Sequence, residues 1–469
     1  MYLKSLRHPF ALWPLAAVLL LCGCSVGPDY QKPETPLPPA WAAKSGVAEA
    51  WPSLTWWQDF SSPALNVLMD EASQANNDLA AAMARVRQAD AQVKIAGANL
   101  SPSLQVVGGE MRNRNNTTTP KSGGSPRGVE TLNGYFSASY ELDFWGKYAD
   151  AADAAVAAAR ASHFDWQTAA LTIQSNVANT FFTVASLNDR LVVARNNLEI
   201  ALNVLDAVKA RAEAGTTSAL DVAQQESVVA GQRAALPPLT QQLRQNVNAL
   251  AILVGRLPEA MTVPPEGLSS VVLPRVVGGL PAGLLIRRPD VQSAESQLEA
   301  ANANIKAAEA SVLPDLKLTA QGGLQSSALG RALDPASVLY SLAASATQPI
   351  FSGGALEGGI EYQQARFDEL LQTYRKTVLS AFGDVENALV AVDMTSEQEN
   401  AQRIAVATAQ RAYDIAQAQM YSGTIDIVTM LNAQRTLFQA EDTLVQVKLL
   451  HAQAVVGLFR ALGGGWQAA

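Results

Sequence analysis

Charge is scarce in this 469-residue chain: Asp, Glu, Lys and Arg together make up 16%, against 48% hydrophobic residues. Soluble domains usually carry about a quarter. The net charge is −8, and neither a Lys/Arg run nor a basic-aromatic patch occurs, which argues against a nucleic-acid partner. Cysteine occurs only as Cys22 and Cys24, and histidine only as His8, His163 and His451. That stock supplies neither a disulfide framework nor a set of metal ligands, and the two later histidines are expected to be solvated or packed. No Walker-type glycine-lysine loop is present; Gly353-Gly354 and Gly358-Gly359 lack the lysine. An enzyme is therefore not expected. Past the N-terminus no apolar run is long enough to span a bilayer. Residues 166–188 are free of charge but contain Gln167, Gln174, Asn176 and Asn179, too polar for hydrocarbon. A membrane crossing, if there is one, must use β-strands.

Proline and glycine are also absent from Lys147 to Ala214. A helix of that length runs to about 100 Å. Within it Leu191, Ala194, Leu198, Ala201, Leu205, Val208 and Ala212 step alternately by three and four, the seam of a coiled coil. A second run, Ile360 to Ser422, has only Gly383. Each run ends at a turn glycine, Gly215 and Gly423, after which a helical pattern resumes. Two long helical hairpins are expected.

The N-terminus reads as a secretory signal over residues 1–23, with basic Lys4 and Arg7 before an apolar core. Leu21-Cys22-Gly23-Cys24 resembles a bacterial lipobox with lipid on Cys24, because the small Gly23 precedes that cysteine; this covalent lipid is the sole cofactor expected. Ser25 points to outer-membrane sorting. Residues 24–61 form a proline-rich tether. The first repeat, 62–255, opens with a helix from Pro63 to about Ala98, followed by a strand pair within 100–144 and a long hairpin over 147–255. Phe136, Ala138, Tyr140, Leu142 and Phe144 alternate with mostly polar neighbours, as in a strand with one apolar and one wet face. A linker, 256–286, leads to the second repeat, 287–466, with a helix, a strand pair within 314–351 and a hairpin over 355–462. The pattern returns after about 208 positions: Gly215 matches Gly423 and Gly255 matches Gly463. Pro237 and Pro238 have no counterpart, and a kink is expected there.

Four amphipathic strands cannot close a membrane barrel, whose smallest single-chain form has about eight. Either they form a soluble sheet or several chains pool them.

Several strings, taken in order, carry a family resemblance. They are Gly27-Pro28-Asp29-Tyr30, Trp56-Trp57 with Phe60, Glu141 to Lys147, Arg287-Arg288-Pro289-Asp290-Val291 with Glu295, Gln348-Pro349-Ile350-Phe351 with Gly353-Gly354, the Phe382 to Asn387 region, and Gly463 to Trp466. The chain resembles the TolC superfamily, in particular its lipid-anchored NodT/OprM-type branch of outer-membrane efflux channels. The resemblance implies a mixed α+β membrane protein of TolC-like fold. Each chain gives four transmembrane strands and long coiled-coil helices, and a homotrimer closes a 12-stranded barrel over a periplasmic α-helical barrel. It implies as partners outer-membrane lipid, a periplasmic adaptor (membrane fusion) protein and an inner-membrane pump of the resistance-nodulation-division type.

It also implies that the hairpin turns, Gly215 to Asp221 and Gly423 to Asn432, form a periplasmic tip and gate. Asp221 stands where the family's latch aspartate is expected, but Ile425 occupies the arginine position. Thr429 and Asn432 replace pore aspartates, and Asp426 lies one position past the latch. Asp221 and Asp426 equally suit helix capping. The tip is expected to open by rearrangement of the second hairpin against the first. The other readings of the chain are a non-channel periplasmic coiled-coil lipoprotein, acting as adaptor or scaffold, and a type I secretion outer-membrane channel. The duplicated strand pairs favour a channel over the adaptor or scaffold, and the lipobox favours efflux over secretion. The sequence does not specify the cargo.

Overall fold

The computed structural model describes residues 26–34, 41–42, 52–113, 129–274 and 281–464. The signal segment, Cys24 and Gly465-Trp466 lie outside the described residues.

Helix α1 (Pro63–Ala75) starts with Ser62, whose hydroxyl accepts from the Leu65 N–H at 3.2 Å, and with Pro63 in its first turn, where the missing N–H costs nothing. The apolar spacing predicts one helix to Ala98, but the chain leaves helical geometry at Asn76 before α2 (Asn77–Gly97). The Asn76 amide explains the break. Its oxygen accepts from the Leu79 N–H at 2.9 Å, capping α2, while its nitrogen donates to the Leu253 carbonyl at 2.8 Å.

Strands β1 (Ser103–Asn113) and β2 (Val129–Leu142) come next, followed by helices α3 (Lys147–Glu213) and α4 (Ala219–Leu253). Pro237 and Pro238 sit inside α4, which continues through them. Their missing N–H groups leave the Arg233 and Ala234 carbonyls without their intrahelical donors. The end of the expected linker is itself helical: α5 (Pro281–Arg287) precedes α6 (Pro289–Ala310). Strands β3 (Asp315–Ser326) and β4 (Val338–Thr347) then lead to α7 (Ala355–Tyr421) and α8 (Ile427–Ala461). Helices α3 and α7 both have 67 residues, and α4 and α8 both have 35. Each helix of the second pair starts 208 residues after its counterpart, Lys147 with Ala355 and Ala219 with Ile427.

Chain contacts divide the molecule into two units. The first, residues 1–33, 87–161 and 294–373, contains an antiparallel sheet of order β1-β2-β3-β4. Its central β2–β3 pairing joins the two repeats, with Ala138 opposite Ala320 and Tyr140 opposite Leu318. The register aligns one apolar face across all four strands: Leu104, Ala138, Ala320 and Leu342 form one row, and Val106, Phe136, Gly322 and Tyr340 the next. The opposite face carries Gln105, Ser137, Gln321 and Ser341. Val106 is 74% exposed and Tyr340 84%, so this apolar face is not a folded core. At the junction with α3, Trp145 donates its indole N–H to the Pro314 carbonyl at 2.9 Å. The Asp143 carboxylate accepts from the Tyr148 and Ala149 N–H groups at 3.1 and 2.7 Å. Trp145 is thus a junction residue. Residues 26–34 lie against α6, where Lys306 meets Asp29 at 2.9 Å and Asn302 donates to the Pro28 carbonyl at 3.1 Å.

The second unit, residues 34–86, 162–293 and 374–469, is held by an aromatic core. Trp56 stacks on Phe459 with ring centres 5.0 Å apart, and Phe60 meets Phe182 at 5.0 Å. Leu65, Met69, Val177, Leu250 and Val456 complete it, all fully buried.

Candidate functional site

The two hairpin turns lie in the second unit and are near copies. Helix α3 ends with Gly215 at φ 69°, and α7 with Gly423 at φ 77°, a left-handed conformation that glycine adopts freely. The Thr216 N–H donates back to the Arg211 carbonyl at 2.8 Å, and the Thr424 N–H to the Gln419 carbonyl at 3.0 Å. Both are Schellman closures.

The starts of the following helices use the same two positions with the acid exchanged. In α4, Ser218 is the N-cap and Asp221 sits three residues on. The Ser218 hydroxyl accepts from the Asp221 N–H at 3.2 Å, and the Asp221 carboxylate accepts from the Ser218 N–H at 2.9 Å and the Thr217 hydroxyl at 2.6 Å. In α8, Asp426 is the N-cap and accepts from the Thr429 N–H at 2.8 Å. Hydrogen bonds from Thr217 and Ser218 hold the Asp221 carboxyl below the usual range, and those from Thr429 do the same for Asp426. Both acids therefore serve helix capping. Thr429 and Asn432 are exposed, and Asn432 lines a groove of about 500 Å³ between α4 and α8, with Gln224, Val228, Arg435 and Phe438 among its walls.

Ile425 packs against the apolar cluster that joins the hairpins, in which Val204 and Val208 of α3 meet Tyr413 and Met420 of α7 and Met430 and Phe438 of α8. The polar links between the hairpins involve residues that the sequence reading missed. At the tip, Arg211 donates to the Met420 carbonyl at 2.7 Å. Higher up, Arg190 makes two bonds to Asp442, at 2.6 and 3.0 Å, and Gln446 donates to the same carboxylate at 2.6 Å. Gln453 donates to the Thr183 hydroxyl at 3.3 Å. One signal was available: the duplicated positions of Arg190 and Asp442 are Gln398 and Ala234, so this pair departs from the repeat.

Within the second hairpin, Glu399 receives Arg403 and lies 2.8 Å from His451 Nδ1. Arg288 forms two bonds to Asp290, at 3.0 and 2.7 Å, and meets Asp384 at 3.0 Å, a structural ion-pair cluster. Among the described residues no group of three His, Cys, Asp or Glu is placed to hold a metal. No described helix is long and apolar enough to cross a membrane.

Comparison with known proteins places this geometry. The profile of the family described as "Outer membrane efflux protein" matches twice, over residues 68–256 and 280–464. The pyoverdine export outer membrane protein OpmQ of Pseudomonas aeruginosa is 39% identical, over 97% of this chain and 96% of its own length. The toluene efflux pump outer membrane protein TtgC of Pseudomonas putida is 32% identical, over 95% and 94%. Among solved structures, the outer-membrane channel OprN superposes with a TM-score of 0.89 at 24% identity, covering 95% of this chain and all of that one. The open state of the Neisseria gonorrhoeae MtrE outer membrane channel gives 0.86 at 26%, covering 94% and 98%. The chain belongs to the outer membrane efflux protein family.

Proposed function

We propose that this chain is the outer-membrane conduit of a tripartite efflux system, passing small molecules from the periplasm to the exterior. One observation carries the reading: the apolar face shared by all four strands. A face so exposed, with the outer edges of β1 and β4 unpaired among the described residues, suits lipid only if other copies complete the ring. Three copies give twelve strands, and the homotrimer is part of the proposal. So are a periplasmic adaptor and an inner-membrane pump of the resistance-nodulation-division type, which supplies the energy; the conduit itself catalyses nothing. The hairpin turns around Gly215, Asp221, Gly423, Asp426, Thr429 and Asn432 are the proposed periplasmic gate, and Cys24 the lipidated residue. The relative named for pyoverdine export makes pyoverdine the first cargo to test, and the one named for toluene efflux makes toluene the second.

The test is direct. Purified from outer membranes, the protein should run as a heat-modifiable trimer, conduct ions in planar bilayers, and cross-link to an adaptor in cells. A monomer without current would refute the reading. Labelling with radioactive palmitate should be lost in Cys24→Ser and retained in Cys22→Ser.

A further inference from the structure

The two arginines that reach from the first hairpin to the second hold it with unequal strength. Arg211, in the last turn of α3, gives one hydrogen bond to the Met420 carbonyl, an uncharged acceptor that already receives the Gly423 N–H at 3.1 Å. Arg190 gives two N–H groups to the ionised Asp442, whose position Gln446 fixes. Both arginines donate from a charged group, but the Arg190 pair adds a second, parallel bond and an opposite charge, which makes it the stronger and the more directional of the two. The Arg190 and Asp442 side chains are 23% and 36% exposed, so part of that attraction escapes screening. The two arginines are 21 positions apart on α3, about 32 Å along the helix axis.

Neither contact is a by-product of the duplication. The repeat puts Gln419 at the position of Arg211 and Ala212 at that of Met420, and Gln398 and Ala234 at those of Arg190 and Asp442. The seam between the two hairpins of one chain therefore has two cationic clasps that its duplicated counterpart lacks.

We propose that Arg211 is the releasable latch of the gate and the Arg190–Asp442 pair the fixed pivot above it. The inference rests on the channel reading and adds the residues on which the tip moves. In this structure Arg211 occupies the negative end of α7, where a cation is favoured. A partner that offers a carboxylate to Arg211 frees the Met420 carbonyl, and the tip of the second hairpin then swings out. The upper pair stays closed and sets the length of the moving part.

The purified trimer in a planar bilayer tests this. Arg211→Ala should raise the single-channel conductance several-fold with the trimer band intact, and Arg211→Lys, which keeps the charge and a donor, should restore most of the low-conductance state. Cysteines at 211 and 420, bridged by a reducible bifunctional thiol reagent about the length of an arginine side chain, should abolish efflux in cells until reductant is added. The same bridge between cysteines at 190 and 442 should leave efflux within about twofold of the unbridged protein. Wild-type conductance in Arg211→Ala would overturn the latch, and complete block by the 190–442 bridge would overturn the pivot. Absence of current from wild type and variants alike would overturn the channel reading and the latch with it.

Discussion

Asn76 and Arg288 do the same task in the two repeats with different chemistry. The Asn76 amide donates to the Leu253 carbonyl at the end of α4, and the Arg288 guanidinium donates to the Ala461 carbonyl at the end of α8. Those carbonyls are 208 residues apart, at equivalent positions, and each is a last-turn acceptor without an intrahelical donor. Each side chain also sits at a junction between two helices, Asn76 between α1 and α2, Arg288 between α5 and α6. The contact outlived the duplication while the residue changed. Asn76→Ala should destabilise the protein by about 1–2 kcal/mol, the scale of a lost cap. Arg288→Ala should cost more, about 2–3 kcal/mol, because it removes charged hydrogen bonds to Asp290 and Asp384 along with the one to Ala461. Thermal melts of detergent-purified protein, followed by circular dichroism, check the order.

The glycines separate into two classes that a sequence does not distinguish. Gly215, Gly255, Gly423 and Gly463 all have positive φ, from 69° to 89°. At Gly215 and Gly423 a methyl group would meet nothing within 4 Å, whereas at Gly255 it would strike the Ala75 carbonyl and at Gly463 the Arg287 carbonyl. Alanine at the tip glycines should therefore cost only about 1 kcal/mol of backbone strain. Gly255→Ala and Gly463→Ala should cost several times that, since backbone must move as well. Yield of folded protein from outer membranes gives the ranking, and equal yields from all four would contradict it.

These contrasts show what was legible in the sequence. The long helices, the strand alternation and the turn glycines are written in local spacing, and so are Asp221 and Asp426 as caps. The break at Asn76 is not, because Leu68, Ala72 and Leu79 keep a helical period across it; the carbonyl that holds Asn76 is 177 residues away. The Arg190–Asp442 clasp spans 252 residues and has no local pattern at all. At the prolines of α4 the helix runs on despite two missing donors, and Leu239, on the turn beside them, packs with Leu187 and Leu191.

A pH dependence follows from Asp150 in the first turn of α3. Its side chain is buried, and one carboxylate oxygen has no hydrogen-bond partner among the described residues. Burial pushes its pKa up to about 6; nearby Asp153 and Asp143 add to the rise and Lys306 opposes it. A raised carboxyl pKa means that the folded protein holds the proton more tightly than the unfolded chain. This group therefore lowers stability as pH climbs from about 4 to about 6, with no further loss above. Asp150→Asn should flatten that part of the melting-temperature profile and make the protein more stable than wild type at pH 7.5. A variant profile parallel to wild type between pH 4 and 6.5 would contradict the assignment.

The two faces of the sheet should respond oppositely to charge. Leu342 lies in the apolar row with Leu104, Ala138 and Ala320, while its chain neighbour Ser341 lies in the row with Gln105, Ser137 and Gln321. If the apolar row faces hydrocarbon, Leu342→Arg puts a guanidinium in lipid at about 2–4 kcal/mol per chain near the midplane, and a trimer incurs that cost three times. Ser341→Arg puts the same group in water on the lumen side and costs little. Outer-membrane fractions should contain a normal amount of Ser341→Arg trimer and little or no Leu342→Arg trimer. If the two variants instead accumulate equally, with the sheet of each protected from lipid-soluble photolabels, the sheet lies in water. The apolar row would then be an ordinary protein contact.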